Sequence, residues 1–302
     1  MERIQSSMAG GKAGGGSTDE RVTPAVNQLS SSRGEGYSPA TWRLIRSPGV
    51  DGVTNMAVDE AILRAVAAGE APPTLRLYAW DPPALSLGRG QPVDDVERGA
   101  VEAAGYGLVR RPTGGRAILH IDELTYSVTA PEREPRVRGG VVESYRRLSA
   151  GLVRGLALLG VEEIVADERV ENRGAEGPVC FEVPSDYEIT VSGRKLVGSA
   201  QMRARGGVLQ HGAVPLYGDI VRICPLLSGH PDPARVRDRA TTVSRAVGRH
   251  VGWEEAAEAV ARGFAEALNL RLAPGELTDG ERAQAQDLRV EKYATTEWTA
   301  SI

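Results

Sequence analysis

The sequence predicts an α+β fold, in which a mixed, largely antiparallel β-sheet is flanked by helices. Three long segments carry apolar residues at helical spacing, at 55–70, 141–161 and 252–270. Several short segments between them have the composition of strands. Helices and strands do not alternate in the regular order of βαβ folds, which argues against a parallel sheet. No internal repeat is visible.

The helices are indicated by apolar residues three or four positions apart. Segment 55–70 (NMAVDEAILRAVAAGE) is followed by Pro72, which stops a helix. Segment 141–161 is strongly amphipathic, and 252–270 repeats that pattern. A fourth helix is predicted over 278–293, and a short one in DDVERGAVEAAGYG. These segments are expected to cover the sheet.

The strands are indicated by alternation and by turn residues. TLRLYAW (74–80) alternates apolar residues with Arg76, Tyr78 and Trp80, and Pro82-Pro83 ends it. ALSLG, LVRR and LTYSV are further strand candidates. DYEITV and RKLVG flank Ser192-Gly193, which predicts a hairpin with a two-residue loop. Such a loop places Lys195 opposite Thr190, on the same face of the hairpin.

Composition limits the functional classes. The chain has 302 residues, of which 41% are hydrophobic and 25% charged, as in ordinary globular proteins. Its net charge of −4 gives no support for nucleic-acid binding, and it has no apolar run long enough to cross a membrane. Two cysteines without regular spacing favour a reducing cytoplasm.

The N-terminal residues differ from the rest. Residues 1–37 contain AGGKAGGGSTDE and SSSRGEG, with little apolar side chain to bury. Burial there cannot offset the entropy cost of ordering the chain. We therefore expect a disordered Gly/Ser-rich tail over 1–37 and a single catalytic domain over 38–302.

Two scarce residue types fall close together. Cys180 is one of two cysteines, and Lys195 is one of three lysines against 33 arginines. A thiol can act as a nucleophile, and an ammonium group has a tunable pKa that a guanidinium lacks. The alternatives are a buried structural thiol and a solvated hairpin charge, and composition alone does not decide between them.

A second stretch, RRPTGGRAILHIDELTYSV (110–128), combines a glycine turn with charged residues. Gly114 and Gly115 allow backbone N–H groups to approach a ligand closely. Arginines flank the turn, and His120 follows it. Without further evidence, the pattern could equally be a tight surface turn followed by a structural histidine, with no ligand bound there.

This stretch resembles the R-R-x-[ST]-G-G-[GR]-A-x-x-H motif of the lipoate–protein ligase and octanoyltransferase family. NMAVDEAIL, GRKLVGSAQMRARGGVLQHGAVPL and the closing EKYATTEW extend the resemblance to about residues 41–299. The resemblance implies the biotin/lipoate protein ligase-like fold, which is related to class II synthetases. Within the family, CFEVPSDYEITVSGRKLVGSAQ is most similar to octanoyl-[acyl-carrier-protein]:protein N-octanoyltransferases of the LipM type.

The resemblance implies roles for individual residues. Cys180 would carry the acyl group as a thioester, and Lys195 would lie in the acyl pocket and stabilise the oxyanion. The residues implied in substrate binding are Arg111, Thr113, Gly114, Gly115, Arg116, His120 and Gln201. His120 is a candidate for the wall of the site or for proton handling. Cys224 is expected in the core.

The resemblance also implies partners. Octanoyl-acyl carrier protein would be the donor, and lipoyl domains such as glycine cleavage H protein or 2-oxoacid dehydrogenase E2 the acceptors. No cofactor is implied, and the cysteines and histidines lack metal-ligand spacing. Because such partners are acidic, a basic rim is expected, formed by Arg110, Arg111, Arg116, Arg194, Arg203 and Arg205.

Three alternatives stay open. An ATP-dependent lipoate–protein ligase would use Lys195 and leave Cys180 idle. An amidotransferase that moves octanoyl between lipoyl domains would also use a cysteine. A lipoyl-domain binding protein without catalytic activity would transfer no acyl group at all.

Overall fold

A computed structural model describes residues 36–167 and 188–301. Within these residues the strands are, in chain order, β1 (Ala40–Val50), β2 (Thr74–Trp80), β3 (Ala84–Leu87), β4 (Gly107–Arg110), β5 (Ile118–His120), β6 (Glu123–Pro131), β7 (Ile164–Asp167), β8 (Glu188–Val191), β9 (Arg194–Ala204), β10 (Gly207–Pro215) and β11 (Leu270–Pro274).

The helices of the described residues are α1 (Gly52–Ala68), α2 (Arg98–Ala103), α3 (Val141–Leu158), α4 (Pro233–Arg239), α5 (Val243–Val247), α6 (Trp253–Leu268), α7 (Asp279–Leu288) and α8 (Thr296–Thr299). Short 3₁₀ segments cover Val93–Asp95 and Ile220–Leu226, and a π turn over Arg289–Tyr293 follows α7.

The strands form two sheets. The main sheet has the order β11-β1-β2-β6-β10-β9-β8-β7, and the small sheet has the order β4-β3-β5. In the main sheet only β1 pairs in parallel, with β11 and with β2, and the remaining neighbours are antiparallel. The predicted fold class, α+β with a mixed and largely antiparallel sheet, is confirmed.

One face of the main sheet is covered by α3 and α6. Leu75, Leu77, Tyr126 and Val128 project from the sheet into this core, and Phe264 of α6 packs among them. The two helices approach so closely that a Cβ on Gly263 would overlap the backbone of α3. This face is an ordinary apolar layer.

The opposite face is packed differently. The second core lies between α1, α7 and the sheet and contains Met56, Ile62, Tyr78 and Trp80. Because β2 is covered on both faces, its alternate residue Arg76 is buried rather than solvated. Alternate side chains of β2 therefore enter two different cores, an apolar one beneath α3 and α6 and a partly polar one beneath α1.

The C-terminal residues tie the small sheet to α1. The indole N–H of Trp298 donates to the carbonyl oxygen of Arg110 at 2.9 Å, and the Arg110 guanidinium donates to the carbonyl of Thr299. The Tyr293 hydroxyl donates to Glu60 of α1 at 2.6 Å. These contacts anchor the end of β4, which leads into the glycine turn.

The predicted elements compare well with the structure. The bounds of β2 match the prediction, and α1, α3, α6 and α7 occupy the predicted segments. The hairpin loop has two residues, and Lys195 pairs with Thr190 as expected. β9 continues to Ala204, beyond the predicted strand RKLVG, with a bulge after this pair. β1, β5, β7, β10 and β11 were not predicted.

The predicted tail, 1–37, lies outside the described residues except for Gly36 and Tyr37. The carbonyl oxygen of Tyr37 accepts a hydrogen bond from Asn269, and the Arg136 guanidinium lies 4.9 Å from the centre of its ring. Tyr37 therefore contacts the folded domain, one residue before the predicted boundary at 38.

Candidate active site

The glycine turn lies between β4 and β5 and is shaped by the Arg111 side chain. One guanidinium nitrogen of Arg111 donates to the carbonyl oxygens of Gly114, at 3.0 Å, and Arg116, at 2.9 Å. Gly115 has φ of 94°, a conformation that L side chains rarely adopt. A Cβ on Gly88 would fall on the Gly115 carbonyl oxygen, so the turn packs directly against the end of β3.

A small cavity, about 30 Å³ in volume, opens beside this turn. Its lining combines apolar and aromatic side chains with the backbone of the glycine turn and of two sheet strands. The lining residues are Met56, Tyr78, Trp80, Arg111, Gly114, Gly115, Ile118, His120, Thr125, Gly198, Ser199, Ala200, His211, Gly212 and Ala213.

His120 belongs to a buried chain of hydrogen bonds, which we call the His120 chain: Arg111, Ser86, His120 and Glu123. Arg111 donates to the Ser86 hydroxyl at 2.6 Å, Ser86 lies 2.7 Å from His120 Nε2, and His120 Nδ1 lies 2.6 Å from Glu123. Because a guanidinium can only donate, the Ser86 hydroxyl keeps its hydrogen for His120 Nε2. The ring of His120 also stacks on Trp80, at 3.9 Å between centroids.

His211 belongs to a second buried chain, the His211 chain: Thr113, His211, Asp59 and Arg76. The Thr113 hydroxyl lies 2.7 Å from His211 Nε2, and His211 Nδ1 lies 3.2 Å from Asp59 Oδ2. Arg76 donates to Asp59 Oδ1 at 2.9 Å. The same carboxylate accepts from the hydroxyl groups of Tyr78 and Ser127.

Burial and charge fix the protonation states in the His211 chain. Burial opposes ionisation of Asp59, but the hydrogen bond from His211 and the charge of Arg76 outweigh it and lower the pKa of the carboxyl group. Burial lowers the pKa of His211, although Asp59 opposes this. A neutral imidazole then donates from Nδ1 to Asp59 and accepts at Nε2 from Thr113.

Lys195 lies on the same side of the main sheet as the cavity. Its neighbours Ile189 and Val197 project into the α3 and α6 core, so Lys195 and Thr190 face the other way, as do Gly198 and Ala200. Lys195 is 4% exposed, and its Nζ lies 2.9 Å from Glu188. It is not among the residues that line the cavity.

The remaining predicted site residues are divided between the turn and its surroundings. Arg111, Gly114, Gly115 and His120 line the cavity, and the Thr113 hydroxyl contacts His211 of its lining. The Arg116 side chain instead points to Asp95, at 3.9 Å.

Gln201 lies on the α3 side of the sheet. Its amide nitrogen donates to the Ser144 hydroxyl at 2.8 Å and to Gln210 at 3.0 Å. Gln210 in turn donates to Tyr126, whose hydroxyl lies 2.7 Å from that of Ser199 in the cavity wall.

The predicted basic rim is wrong for two of its residues. Arg110 has no exposed surface and Arg111 is 3% exposed. Both guanidinium groups donate to backbone carbonyl oxygens at the ends of β3 and in the glycine turn. Buried groups of this kind hold the local backbone and present no charge to a partner. Arg194 and Arg205 are exposed.

The structure describes only one of the two cysteines. Cys180 lies outside the described residues. Cys224 is buried in a third apolar core with Leu85, Leu87 and Ile223, as predicted.

Among residues 36–167 and 188–301, no cluster of histidine, cysteine and carboxylate side chains is suited to a metal ion, and no helix is long and apolar enough to cross a membrane.

Several site residues were missed by reading the sequence: Asp59, Arg76, Ser86 and Glu123. Asp59 carried a signal, because it follows Met56 by three positions and therefore lies on the buried face of α1. The others occupy polar positions of strands, which alternation assigns to solvent. Only the covering of this face by α1 and the small sheet makes them interior.

Comparison with known proteins places this site in a family. Residues 51–265 match the model of the lipoyl protein ligase A/B catalytic domain. An octanoyltransferase LipM of Kyrpidia tusciae is 49% identical over 269 residues, covering 85% of this chain and 98% of the relative. Octanoyltransferase LipM of Staphylococcus aureus is 38% identical over 270 residues, covering 85% and 98%.

Solved structures of lipoate protein ligases have the same fold. A lipoate-protein ligase A bound with ATP superposes with a TM-score of 0.73 at 26% identity, covering 86% of this chain and 99% of the other. A bipartite lipoate protein ligase of Thermoplasma acidophilum, studied with its E2 lipoyl domain, gives a TM-score of 0.71 at 25% identity, covering 87% and 97%.

The chain belongs to the lipoyl protein ligase A/B catalytic-domain family. Its curated relatives are octanoyltransferases, and the chain is an enzyme of the acyltransferase class.

The lowered pKa of His211 predicts a pH-dependent stability. Unfolded His211 binds a proton near its ordinary pKa of 6.5, whereas the folded state resists protonation. The unfolded state therefore binds more protons below that pH, and the free energy of unfolding should fall on acidification, by up to about 1.4 kcal/mol per pH unit. The Asp59 contribution is lost only at lower pH, because its folded-state pKa is depressed.

Urea unfolding over a pH series from about 8 to about 5 measures this effect. His211→Gln should flatten the fall below pH 6.5, whereas His250→Gln, at an exposed position, should leave it unchanged. An equal slope in the wild type and in His211→Gln would contradict a neutral buried His211.

Proposed function

We propose that this enzyme transfers an octanoyl group from octanoyl-acyl carrier protein to a lysine of lipoyl domains, through a thioester on Cys180. The observation that carries the proposal is the apolar cavity bordered by the Gly114-Gly115 turn. Its apolar lining is compatible with contact to an acyl chain, and the turn provides backbone N–H groups at the border, where they could donate to the carbonyl group. The octanoyltransferase relatives support the choice of acyl group.

The reaction would proceed in two balanced steps. The Cys180 thiolate attacks the thioester carbonyl of the donor, the C–S bond to the carrier breaks, and the carrier leaves as a thiol after taking up a proton. The neutral amine of the acceptor lysine then attacks the octanoyl-Cys180 carbonyl. An amide forms, the C–S bond breaks, and the proton lost from the amine ends on the Cys180 sulfur.

The residues of the site suit these steps. Each tetrahedral intermediate carries an oxyanion, which backbone donors and a cation stabilise. The Gly114 and Gly115 amides border the cavity, and Lys195 is a buried cation on the same side of the sheet. The role of Cys180 follows from the family resemblance and its scarcity, since this residue lies outside the described part of the chain.

An ATP-dependent ligase is the second candidate, because a lipoate-protein ligase A bound with ATP has the same fold. A ligase must activate a free carboxylic acid, since a carboxylate is too poor an electrophile to accept an amine. A thioester donor arrives already activated. The two functions therefore differ in donor, in nucleotide requirement and in their need for Cys180.

The purified protein should octanoylate a lipoyl domain from octanoyl-acyl carrier protein with no ATP or magnesium added, as measured by intact-mass spectrometry of the lipoyl domain. Free octanoate plus ATP should give little product. Cys180→Ala should abolish transfer. Cys224→Ala, the matched control, should retain most activity while losing some stability, because Cys224 packs in a core.

ATP-dependent use of free acid, combined with full activity of Cys180→Ala, would assign the function to the ligase. Absence of transfer under every condition would support a binding protein.

The Lys195–Glu188 pair allows stability and catalysis to be separated. Lys195→Met leaves the buried Glu188 carboxylate without this cation and should lower the free energy of unfolding by about 3–5 kcal/mol. Lys195→Met combined with Glu188→Gln removes both charges and should recover most of that loss. Transfer should stay at least about tenfold reduced in the double variant, because the oxyanion has lost its cation.

Chemical denaturation and single-turnover acylation together test this expectation. Arg98→Met, at an exposed position outside the predicted basic rim, is the control and should affect neither quantity. A double variant with wild-type acylation would reduce Lys195 to a structural partner of Glu188.

A further inference from the structure

The glycine turn is held from two directions by buried side chains. At its start, Arg111 connects it to the His120 chain, and Thr113 in its middle connects it to the His211 chain. Both chains have the same order, a hydroxyl group, an imidazole and a carboxylate, and both run away from the cavity into the interior. Both chains reach this turn.

The His120 chain acts on the turn through Arg111. Ser86 occupies one guanidinium nitrogen of Arg111, and the other nitrogen donates to two carbonyl oxygens of the turn, those of Gly114 and Arg116. Glu123 orients His120, which orients Ser86. Thr125 and Trp80 continue the chain, since Thr125 donates to Glu123 and the Trp80 indole donates to Thr125.

The His211 chain acts on the turn through Thr113. The Thr113 side chain is 1% exposed, and its hydroxyl contacts His211. Asp59 fixes the orientation of the imidazole ring, and Arg76 fixes Asp59. The Thr113 carbonyl oxygen accepts from the Arg89 amide at 2.7 Å, which ties the same residue to the segment after β3.

Neither imidazole is arranged as an acid or base toward the cavity. Both ring nitrogens of His120 are occupied, by Ser86 and Glu123, and both of His211, by Thr113 and Asp59. What faces the cavity instead is the backbone of Gly114 and Gly115, both exposed. Within residues 36–167 and 188–301, their amide N–H groups donate no hydrogen bond to the protein.

We propose that the two chains are positioning devices that hold the Gly114 and Gly115 amides in one geometry for the oxyanion, with Ser86, Asp59 and Glu123 as positioning residues. This inference rests on the proposed acyl transfer for its catalytic consequence. Pre-organised donors stabilise a developing charge without reorganising at the moment of reaction. A turn rich in glycine has little rigidity of its own, so its rigidity must come from the side chains that hold it.

The test uses one small substitution in each chain. Thr113→Val keeps the shape but removes the hydroxyl of the His211 chain, and Ser86→Ala does the same for the His120 chain. Hydrogen–deuterium exchange of the Arg89 and Arg111 amides, which donate to the carbonyl oxygens of Thr113 and Leu87 and tie the turn to the end of β3, should rise about tenfold in each variant, while exchange of β10 stays unchanged. Thr113→Ser, which keeps the hydroxyl, should restore slow exchange.

Kinetics provide the second readout. In both variants kcat for octanoyl transfer should fall about tenfold to a hundredfold with little change in KM for the donor, because the carbonyl contact is misplaced rather than the acyl pocket. The pH profile of kcat should keep its shape, since neither histidine exchanges protons with the substrate. Thr113→Ser should recover most of the lost kcat.

The outcomes separate this inference from the proposed function. A wild-type enzyme that transfers octanoyl, with unchanged exchange and kcat in both variants, would overturn the inference alone. Faster exchange with unchanged kcat would overturn the catalytic part of the inference. If either variant lost one limb of the pH profile of kcat, the histidine of that chain would act as an acid or base rather than as a positioning residue. A wild-type protein that transfers nothing would overturn the proposed function, while exchange would still decide whether the chains hold the turn.

Discussion

The buried carboxylate of Asp59 constrains the structure around the site. It lies between α1 and the main sheet without exposed surface, where an unpaired charge would cost several kcal/mol. Arg76, His211, Tyr78 and Ser127, from three strands of the sheet, all direct polar hydrogens to it. The carboxylate therefore stays ionised, fixes the register of α1 on the sheet, and sets the orientation of the imidazole that reaches the glycine turn.

The parts of the fold that could be predicted are those whose pattern is local. β2 and α3 were predicted because alternation and helical spacing are visible within a single window of sequence. β5 was missed because it has only three residues, and β1 because its irregular end and mixed composition give no clear alternation. Pairings such as β1 with β11 join residues more than 200 positions apart, and no local pattern specifies them.

The site residues also fall into those that a local sequence pattern identified and those that it did not. The residues around the glycine turn were identified because they form a compact motif that resembles a known family, and the structure brings Arg111, Gly114 and Gly115 to one cavity. Ser86 and Glu123 were missed, because their importance depends on Arg111 and His120 reaching them across the small sheet. Gln201 shares a strand with the cavity wall but belongs to the opposite face, an outcome of the bulge and register of β9.

The central claim is that octanoyl passes through a thioester on Cys180, and trapping that species tests it most directly. The enzyme is mixed with octanoyl-acyl carrier protein in the absence of a lipoyl domain, and its intact mass is measured before and after neutral hydroxylamine. The account predicts one added octanoyl group, removed by hydroxylamine and located by peptide mapping on Cys180. Absence of an adduct, an adduct that resists hydroxylamine, or one located on Cys224 would contradict it.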